Sequence, residues 1–211
     1  MVLPIYAYGQ NILRQKAKPI TSDYPQLEQL IQSMFETMYN AHGVGLAAPQ
    51  VGLSIRLFVM DSTPLEKKEK EKNSNIKDLN SGEHLGEGAV APPVGLKAVF
   101  INAEKILEEG EPFKYKEGCL SIPDVDCEIT RPSKIVLKYY DENFNEKTEE
   151  FSGIRARIIQ HEYDHLEGIL LTDYLPTLQR HMMASKLQRI LKGNIEVDYP
   201  IIFAKAKKKV Y

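Results

Sequence analysis

The chain is organised around one short stretch, Gln160-His161-Glu162-Tyr163-Asp164-His165-Leu166. Residues four apart in a helix project from one face, so His161 and His165 can bring two imidazoles to one tetrahedral metal ion. Glu162 directly follows the first histidine, so its carboxylate can lie beside a metal-bound water without being a ligand itself. The spacing is the His-Glu-x-x-His arrangement of metal sites on helices.

An ordinary amphipathic helix with His and Glu on its solvated face would produce the same spacing. The flanking residues argue against that alternative, because Ile154 and Ile158 recur at helical spacing with His161 and His165. This periodicity places both imidazoles on the apolar, inward side of the predicted helix. Two buried histidines need a polar partner, and one metal ion would satisfy both.

Length and composition predict one globular domain. The 211 residues are 43% hydrophobic, which is enough for a packed core. We expect a single catalytic domain over residues 1–211, with a charged surface insertion at about 62–95 and a C-terminal tail at about 194–211. The insertion is rich in charge and then in Asn, Ser, Gly and Pro, which is typical of a solvated segment with few buried contacts.

The charge pattern gives no general case for nucleic-acid binding. The formal net charge is −2 and the pI is near 6.2, so no specific DNA contact is expected. The basic residues Lys205, Lys207, Lys208 and Lys209 nevertheless make the last part of the sequence locally basic. No window approaches the roughly 18 apolar residues of a membrane span, and the start has no signal-like apolar run. We therefore expect no membrane contact and a cytoplasmic location.

Periodicity and turn residues predict the order of elements along the chain. The predicted elements are a helix that ends at 42–43, strands at 55–61, 96–102, 113–115, 134–140 and 147–151, the motif helix over about 153–167, and a last helix over 177–192. The last helix is expected to turn these apolar side chains inward: Leu178, Met182, Met183, Leu187, Ile190 and Leu191.

A loop of small residues, Gly43-Val44-Gly45-Leu46-Ala47-Ala48-Pro49-Gln50, follows the first long helix. Its glycines let another chain approach the backbone closely, and Gln50 offers two N–H donors and one acceptor. A phosphate-binding loop is not indicated, because no Gly-Lys-Ser/Thr ending is present. A plain turn is the alternative if this stretch is taken alone.

A catalytic tetrahedral site needs three protein ligands and one open position, so the identity of the third ligand decides the class of enzyme. Leu171 stands where a metzincin would have a third histidine. Glu167 is too close to the motif and Glu196 lies near the tail, which weakens the metalloprotease interpretation. Cys119, on an extended segment beside a glycine, is the best remaining soft donor, although an isolated cysteine is more often a small buried hydrophobe.

Three motifs together resemble the signature of the peptide deformylase family. They are Gly43-Val44-Gly45-Leu46-Ala47-Ala48-Pro49-Gln50, Glu117-Gly118-Cys119-Leu120-Ser121 and Gln160-His161-Glu162-Tyr163-Asp164-His165, in that order. The resemblance covers the chain from its extended start to the last helix, except for the charged insertion and the last fifteen or so residues. It implies an α+β fold, in which antiparallel β-sheets surround a central helix carrying the metal motif and a further helix lies near the C-terminus.

The resemblance also implies a metal site and a set of catalytic groups. Cys119, His161 and His165 would hold one divalent metal per chain, natively Fe²⁺, although such donors also accept Zn²⁺, Ni²⁺ or Co²⁺. Glu162 would take a proton from water and pass it to the leaving amine. Gln50, through its side chain, and Leu120, through its backbone N–H, would stabilise the oxyanion.

The implied substrate is the N-formyl-methionyl end of a nascent polypeptide, and the products are formate and a free amino terminus. The resemblance also implies a cytoplasmic location of bacterial type and makes the basic residues at 205–209 a candidate contact with the ribosome surface. The backbone around Gly45 would pair with the extended peptide. The remaining candidates for substrate binding are Val44, Glu117, Ile154, Arg157 and Ile158. Rival interpretations are a zinc metallopeptidase of the His-Glu-x-x-His type and a non-catalytic, deformylase-like binding protein.

Two positions depart from the family pattern. Asp126 stands where many relatives have an arginine, which puts any contact of that arginine near the ligands in doubt. Arg157 lies one turn before His161, where an aliphatic pocket residue is common. Because an unpaired buried guanidinium is costly, we expect its stem to line the pocket wall and its head to reach water or an acidic partner, beside the substrate.

Overall fold

The computed structural model of the chain describes residues 1–77 and 94–204. The α+β class is confirmed: four helices accompany three β-sheets in these residues. The helices are α1 (Leu27–Asn40), α2 (Thr63–Lys77), α3 (Gly153–Leu166) and α4 (Thr177–Leu191), with short 3-10 turns at Asn11–Arg14, Ala48–Val51 and Leu171–Tyr174. The strands are β1 (Ile5–Tyr6), β2 (Gly45–Ala47), β3 (Leu57–Asp61), β4 (Lys97–Glu109), β5 (Phe113–Cys119), β6 (Ile122–Arg131), β7 (Lys134–Tyr140), β8 (Glu146–Ser152) and β9 (Ile201–Ile202).

The main sheet has five antiparallel strands in the order β2-β3-β4-β7-β8. A separate antiparallel hairpin joins β5 to β6, and β1 pairs in parallel with β9. None of the helices in the two described ranges is both long and apolar enough to cross a bilayer.

The motif helix α3 packs on the main sheet. Aromatic rings from the sheet form one cluster, in which the centroids of Phe58 and Phe100 lie 4.6 Å apart and those of Phe100 and Tyr139 lie 4.5 Å apart. Ala156 and Ile159 of α3 are fully buried in the same cluster. Small and branched residues on the sheet-facing side of α3 let the helix backbone lie close to the sheet. The position of the backbone in turn fixes the directions of the other α3 side chains.

Strand β6 was not among the predicted elements. Its side chains alternate between buried and exposed, with Val125, Cys127 and Ile129 inward and Asp126 and Glu128 outward. This is the period of a strand with one solvated face. The charged outward residues lower the apolar content of the stretch, so apolar content alone does not predict this strand.

Helix α4 buries a narrower face than the sequence predicts. Leu187 and Ile190 are buried and Met183 packs beside them, but Leu178 is 74% exposed and Met182 is 76% exposed. The prediction that these two side chains point inward is wrong. The helix rests on β6 along a single stripe, so apolar residues outside that stripe have nothing to cover them.

The predicted insertion is anchored at its base. Ser62 is fully buried, Leu65 packs against the main core, and the Glu66 carboxylate pairs with Arg155 and accepts the N–H of Gly95. Residues 62–66 are therefore part of the packed domain, which corrects the predicted start of the solvated segment. Residues 78–93, which make up most of the second half of the predicted insertion, lie outside the described residues.

The predicted tail also packs on the domain over much of its length. Ile195, Ile201 and Phe203 lie against the core formed by the hairpin and α4, and Ile201 and Ile202 pair with β1. The basic residues at 205–209 lie outside the described residues, so the predicted ribosome contact stays a prediction.

Candidate metal centre and active site

Cys119, His161 and His165 converge as the sequence predicts. One donor atom from each lies within 4.8 Å of the other two, and Cys119 Sγ is 3.4 Å from His165 Nε2. Tetrahedral coordination with ordinary metal–sulfur and metal–nitrogen bonds separates such donors by about 3.5 Å. The three side chains are thus close to the arrangement that one ion requires.

Two different elements bring these donors together. His161 and His165 lie four residues apart on α3, with ring centroids 5.1 Å apart. Cys119 ends β5, where the pairing with β6 shifts register and Cys119 comes opposite Ile122. The two residues between them, Leu120 and Ser121, form the tight turn of the hairpin. The thiol therefore projects from the tip of the hairpin toward the helix.

Glu117 orients the first histidine. One carboxylate oxygen lies 2.9 Å from His161 Nδ1, which leaves Nε2 directed at the other donors. Although burial alone would raise the pKa of Glu117, hydrogen bonds from His161 and Arg131 lower it to about 2. The sequence predicts a contact between Glu117 and substrate, and that contact stays a prediction. In the structure the carboxylate accepts hydrogen bonds from protein donors. It is a partner of the ligand, which is the usual arrangement behind a metal-bound histidine.

Arg131 is one residue of the site that the sequence analysis did not identify. Its Nε and Nη2 bond to Glu117 at 2.8 and 3.0 Å, and its Nη1 bonds to Asp164 at 2.7 Å. Only 4% of the residue is exposed. Its inward position follows from the alternation along β6, so recognition of that strand would have identified it. Asp126 lies on the opposite, solvated face of β6 and pairs with Lys116. The presence of Asp126 in place of the arginine common in relatives therefore leaves the contacts of Glu117 intact.

Arg157 has the acidic partner that the sequence predicts. Its Nη1 donates to Glu117 at 2.9 Å and to the carbonyl of Ile129 at 3.0 Å, and its Nη2 donates to the carbonyl of Phe113 at 2.6 Å. The alternative that its head reaches water is wrong, because only 2% of the residue is exposed. Arg157 lines the cleft wall, and its contact with substrate stays a prediction.

Glu162 has the environment of a general base. It is 4% exposed, and its Oε2 has no hydrogen-bond partner among the described residues. Burial raises the pKa of Glu162 to about 7, which is the range where a carboxyl group exchanges protons readily near neutral pH. A Cβ at Gly45 would lie 2.3 Å from Glu162 Oε1, so only glycine lets β2 approach this carboxylate.

Gln50 is held with its amide nitrogen facing the metal site. Its Oε1 accepts the backbone N–H of Ala47 at 2.8 Å, which fixes the orientation of the side-chain amide. Its Nε2 then lies 3.7 Å from Cys119 Sγ and 3.3 Å from Ser121 Oγ. The residue is buried, so the donor is pre-positioned in surroundings where hydrogen bonds to charge are strong.

A cleft of about 850 Å³ opens onto these groups. Gln50, Cys119, His161 and Glu162 lie in its wall, and so do all six residues predicted to bind substrate. Those six residues are Val44, Gly45, Glu117, Ile154, Arg157 and Ile158. Leu120 also lines the cleft. His165 is buried behind the other two donors, with 1% exposure.

The surroundings fit a divalent cation. Burial lowers the pKa of His161, but hydrogen bonds to Cys119 and Glu117 outweigh it and raise that pKa well above its ordinary value. The groups around His161 thus favour a positive charge there, next to a sulfur donor, and a cation can take that place once the imidazole releases its proton. Burial holds the pKa of His165 well below its ordinary value, which keeps that imidazole neutral and able to coordinate.

Comparison with known proteins gives one consistent family. The family model described as polypeptide deformylase matches residues 2–181. The peptide deformylase of Christiangramia forsetii is 48% identical over 208 residues, which is 99% of each chain. That of Flavobacterium psychrophilum is 49% identical over 199 residues, covering 94% of this chain and 95% of the relative.

Solved structures agree with the sequence comparison. The peptide deformylase from Legionella pneumophila superposes with a TM-score of 0.70 at 31% identity, covering 92% of this chain and 98% of that one. Peptide deformylase 1B of Arabidopsis thaliana, in complex with an inhibitor, gives a TM-score of 0.71 at 30% identity, with 91% and 92% covered.

Proposed function

This chain belongs to the peptide deformylase family, and we propose that its cleft removes the formyl group from N-formyl-methionyl ends of nascent polypeptides. The observation that carries the proposal is the meeting of three kinds of group at one point. A Cys-His-His donor set, a buried carboxylate with an unpaired oxygen and an oriented amide donor all face the same cleft.

We propose that Cys119, His161 and His165 hold one divalent ion, with Fe²⁺ as the native metal. Such an ion supplies Lewis-acid polarisation and makes water acidic enough to ionise near neutral pH. The donor set accepts Zn²⁺, Ni²⁺ and Co²⁺ as well, so metal identity depends on supply as well as on affinity. Glu117 supports this assignment, because it fixes His161 by a bond to Nδ1.

The other groups of the chain act on protons and on the developing charge. Glu162 accepts a proton from the water that attacks the formyl carbon, and later donates it to the leaving amine as the carbon–nitrogen bond breaks. Gln50 Nε2 and the backbone N–H of Leu120 donate to the formyl oxygen while it carries negative charge. Formate and a free amino terminus are the products.

The apolar part of the cleft would receive the methionine side chain. Val44 and Ile154 are half-buried and Ile158 is buried, and all three line the cleft beside Glu162. Strand β2 is at the edge of the main sheet, so the backbone at Gly45 can pair with an extended peptide. We place the reaction in the bacterial cytoplasm, where formylated chains are made.

The test is release of formate from a short N-formyl-methionyl peptide by the metal-loaded protein. Formate is measured enzymatically and the peptide products are measured by mass spectrometry. We expect loss of the formyl group alone. Cleavage of an internal peptide bond would support a metallopeptidase, and tight peptide binding without any product would support a non-catalytic binding protein.

A further inference from the structure

The turn that carries Leu120 is held from outside the hairpin. Leu120 and Ser121 form a two-residue loop, and neither has a left-handed φ. Two-residue hairpin loops that match the twist of their strands need left-handed residues. This turn therefore lacks the conformation that would hold it by itself, and its geometry depends on its neighbours.

Hydrogen bonds from three directions fix the turn. The Tyr199 hydroxyl donates to the Leu120 carbonyl at 2.8 Å, and the Tyr8 backbone N–H donates to the Ser121 carbonyl at 2.7 Å. Gln50 Nε2 donates to the Ser121 hydroxyl at 3.3 Å. Two of the three ties thus come from residues next to the paired strands β1 and β9.

Those strands make one short ribbon beside the active site. Ile5 is paired with Ile201, so Tyr8 and Tyr199 leave the ribbon close to the hairpin. Tyr199 is half-buried, packs against the core and lines the cleft. Burial raises the pKa of Tyr199, so its hydroxyl remains a donor across the physiological range.

We propose that Tyr199 is a positioning residue that sets the direction of the Leu120 backbone N–H toward the developing oxyanion. The inference rests on the proposed function of the cleft. Fixing the Leu120 carbonyl removes freedom in the torsion between the two peptide groups of Leu120. The N–H on the other side of that residue is then held against the site instead of swinging with the turn. Gln50 provides the second donor, and it touches the same turn through Ser121.

Such a role affects the transition state more than the bound substrate. Charge on the formyl oxygen is small in the ground state and large at the tetrahedral stage, so misdirection of a donor lowers kcat with little change in KM. Loss of an entire oxyanion donor costs about 10²–10³-fold in kcat. Loss of its positioning alone should cost less, about tenfold.

The test compares Tyr199→Phe with Tyr140→Phe in the metal-loaded, full-length protein. The Tyr140 hydroxyl bonds to Glu146 between β7 and β8, and neither residue lines the cleft, so its loss controls for removal of a tyrosine hydrogen bond outside the active site. We expect kcat for formate release to fall about tenfold in Tyr199→Phe, with KM within about twofold, and to stay unchanged in Tyr140→Phe. Metal content should match the wild type in both.

A second measurement reports the turn and the oxyanion directly. A methionine-derived phosphonate, whose charged oxygens imitate the tetrahedral stage, should bind Tyr199→Phe about tenfold more weakly, while the free methionyl product binds unchanged. The backbone amides of Leu120 and Ser121 should exchange hydrogen faster in Tyr199→Phe alone. Hydrogen exchange needs no turnover, so it tests whether Tyr199 positions the turn even in a protein without activity. A wild type that releases no formate would refute the proposed activity alone.

The proposal is overturned if Tyr199→Phe keeps kcat and phosphonate affinity within twofold of the wild type. It is also overturned if kcat falls only in proportion to lost metal or lost folded protein, because that pattern describes a structural residue.

Discussion

The proposed role of Glu162 gives the most specific prediction for a single substitution. Replacement by alanine removes the proton carrier but none of the three donors, so Glu162→Ala should bind metal at the wild-type ratio while kcat falls by at least about 10²-fold. Metal is measured by elemental analysis and turnover by formate release. Loss of metal together with activity would instead make Glu162 a ligand.

Arg157 is expected to matter for stability first. Removal of one partner of a buried charge pair costs about 3–5 kcal/mol, because the other charge is left uncompensated. Arg157→Leu leaves Glu117 with one fewer cation and two carbonyls without their donor. We expect the free energy of unfolding, measured in urea, to fall by that amount.

Arg155→Leu is the matched control on the same helix. Its guanidinium pairs with Glu66 but is 38% exposed, so its loss should cost only about 1 kcal/mol. Equal stability of the Arg157→Leu and Arg155→Leu variants would contradict the burial argument.

In the folded Arg157→Leu protein, KM should rise more than kcat falls, since Arg157 lines the cleft and does not touch the three donors Cys119, His161 and His165.

At the scale of elements, the approach of β2 to α3 depends on Gly45. A methyl group there would overlap the Glu162 carboxylate, which must move away from its working position. The Gly45 backbone is not left-handed, so alanine introduces no backbone strain. Gly45→Ala should therefore fold and bind metal but lose most of its kcat, as measured by circular dichroism, metal analysis and formate release. Unchanged kcat would show that the carboxylate has room to adjust.

The ion pair between Glu66, in the first turn of α2, and Arg155 should make the free energy of unfolding depend on pH. Hydrogen bonds from Arg155 lower the pKa of Glu66 from 4.5 to about 2, despite partial burial. Because the folded-state pKa is depressed, the stabilisation is present in full above pH 4.5 and is lost as the pH falls toward 2. Glu66→Gln should lower the free energy of unfolding by about 1 kcal/mol at neutral pH.

The difference between wild type and Glu66→Gln should then shrink from pH 4.5 downward, as followed by urea unfolding at each pH. Glu150→Gln serves as the control. Its pair with Lys134 is exposed on both sides, so that difference should stay near zero at every pH. A constant difference for Glu66→Gln would mean that its ionisation does not stabilise the fold.

For the molecule as a whole, local sequence patterns predict the residues that do the chemistry, whereas the residues that hold them in place depend on long-range contacts. The ligands, Glu162 and Gln50 lie in short stretches whose spacing is interpretable one element at a time. Arg131 and Tyr199 reach the site only through the pairing of β5 with β6 and of β1 with β9. No local period reports such pairings, because register is set by tertiary packing.

The same distinction explains the errors at the surface. Apolar Leu178 and Met182 fit a helical period, yet burial depends on what lies opposite, and α4 meets β6 along one stripe only. Composition also marked residues 62–66 as solvated, although one leucine and one ion pair tie them to the domain. Average composition does not detect a few specific anchoring contacts.

If Tyr199 positions the turn as proposed, the parallel pairing of β1 with β9 should also determine when a folding chain becomes active. Contacts between residues far apart in sequence form late, because a long loop must close before they contribute any stabilisation. During synthesis, β9 is also the last described element to appear. A refolding chain should regain the far-ultraviolet signal of its main sheet and helices first and full turnover afterwards, with a lag that reflects the pairing of β1 with β9. Each new molecule would thus begin work on other chains only after its own β9 has been synthesised and has paired with β1.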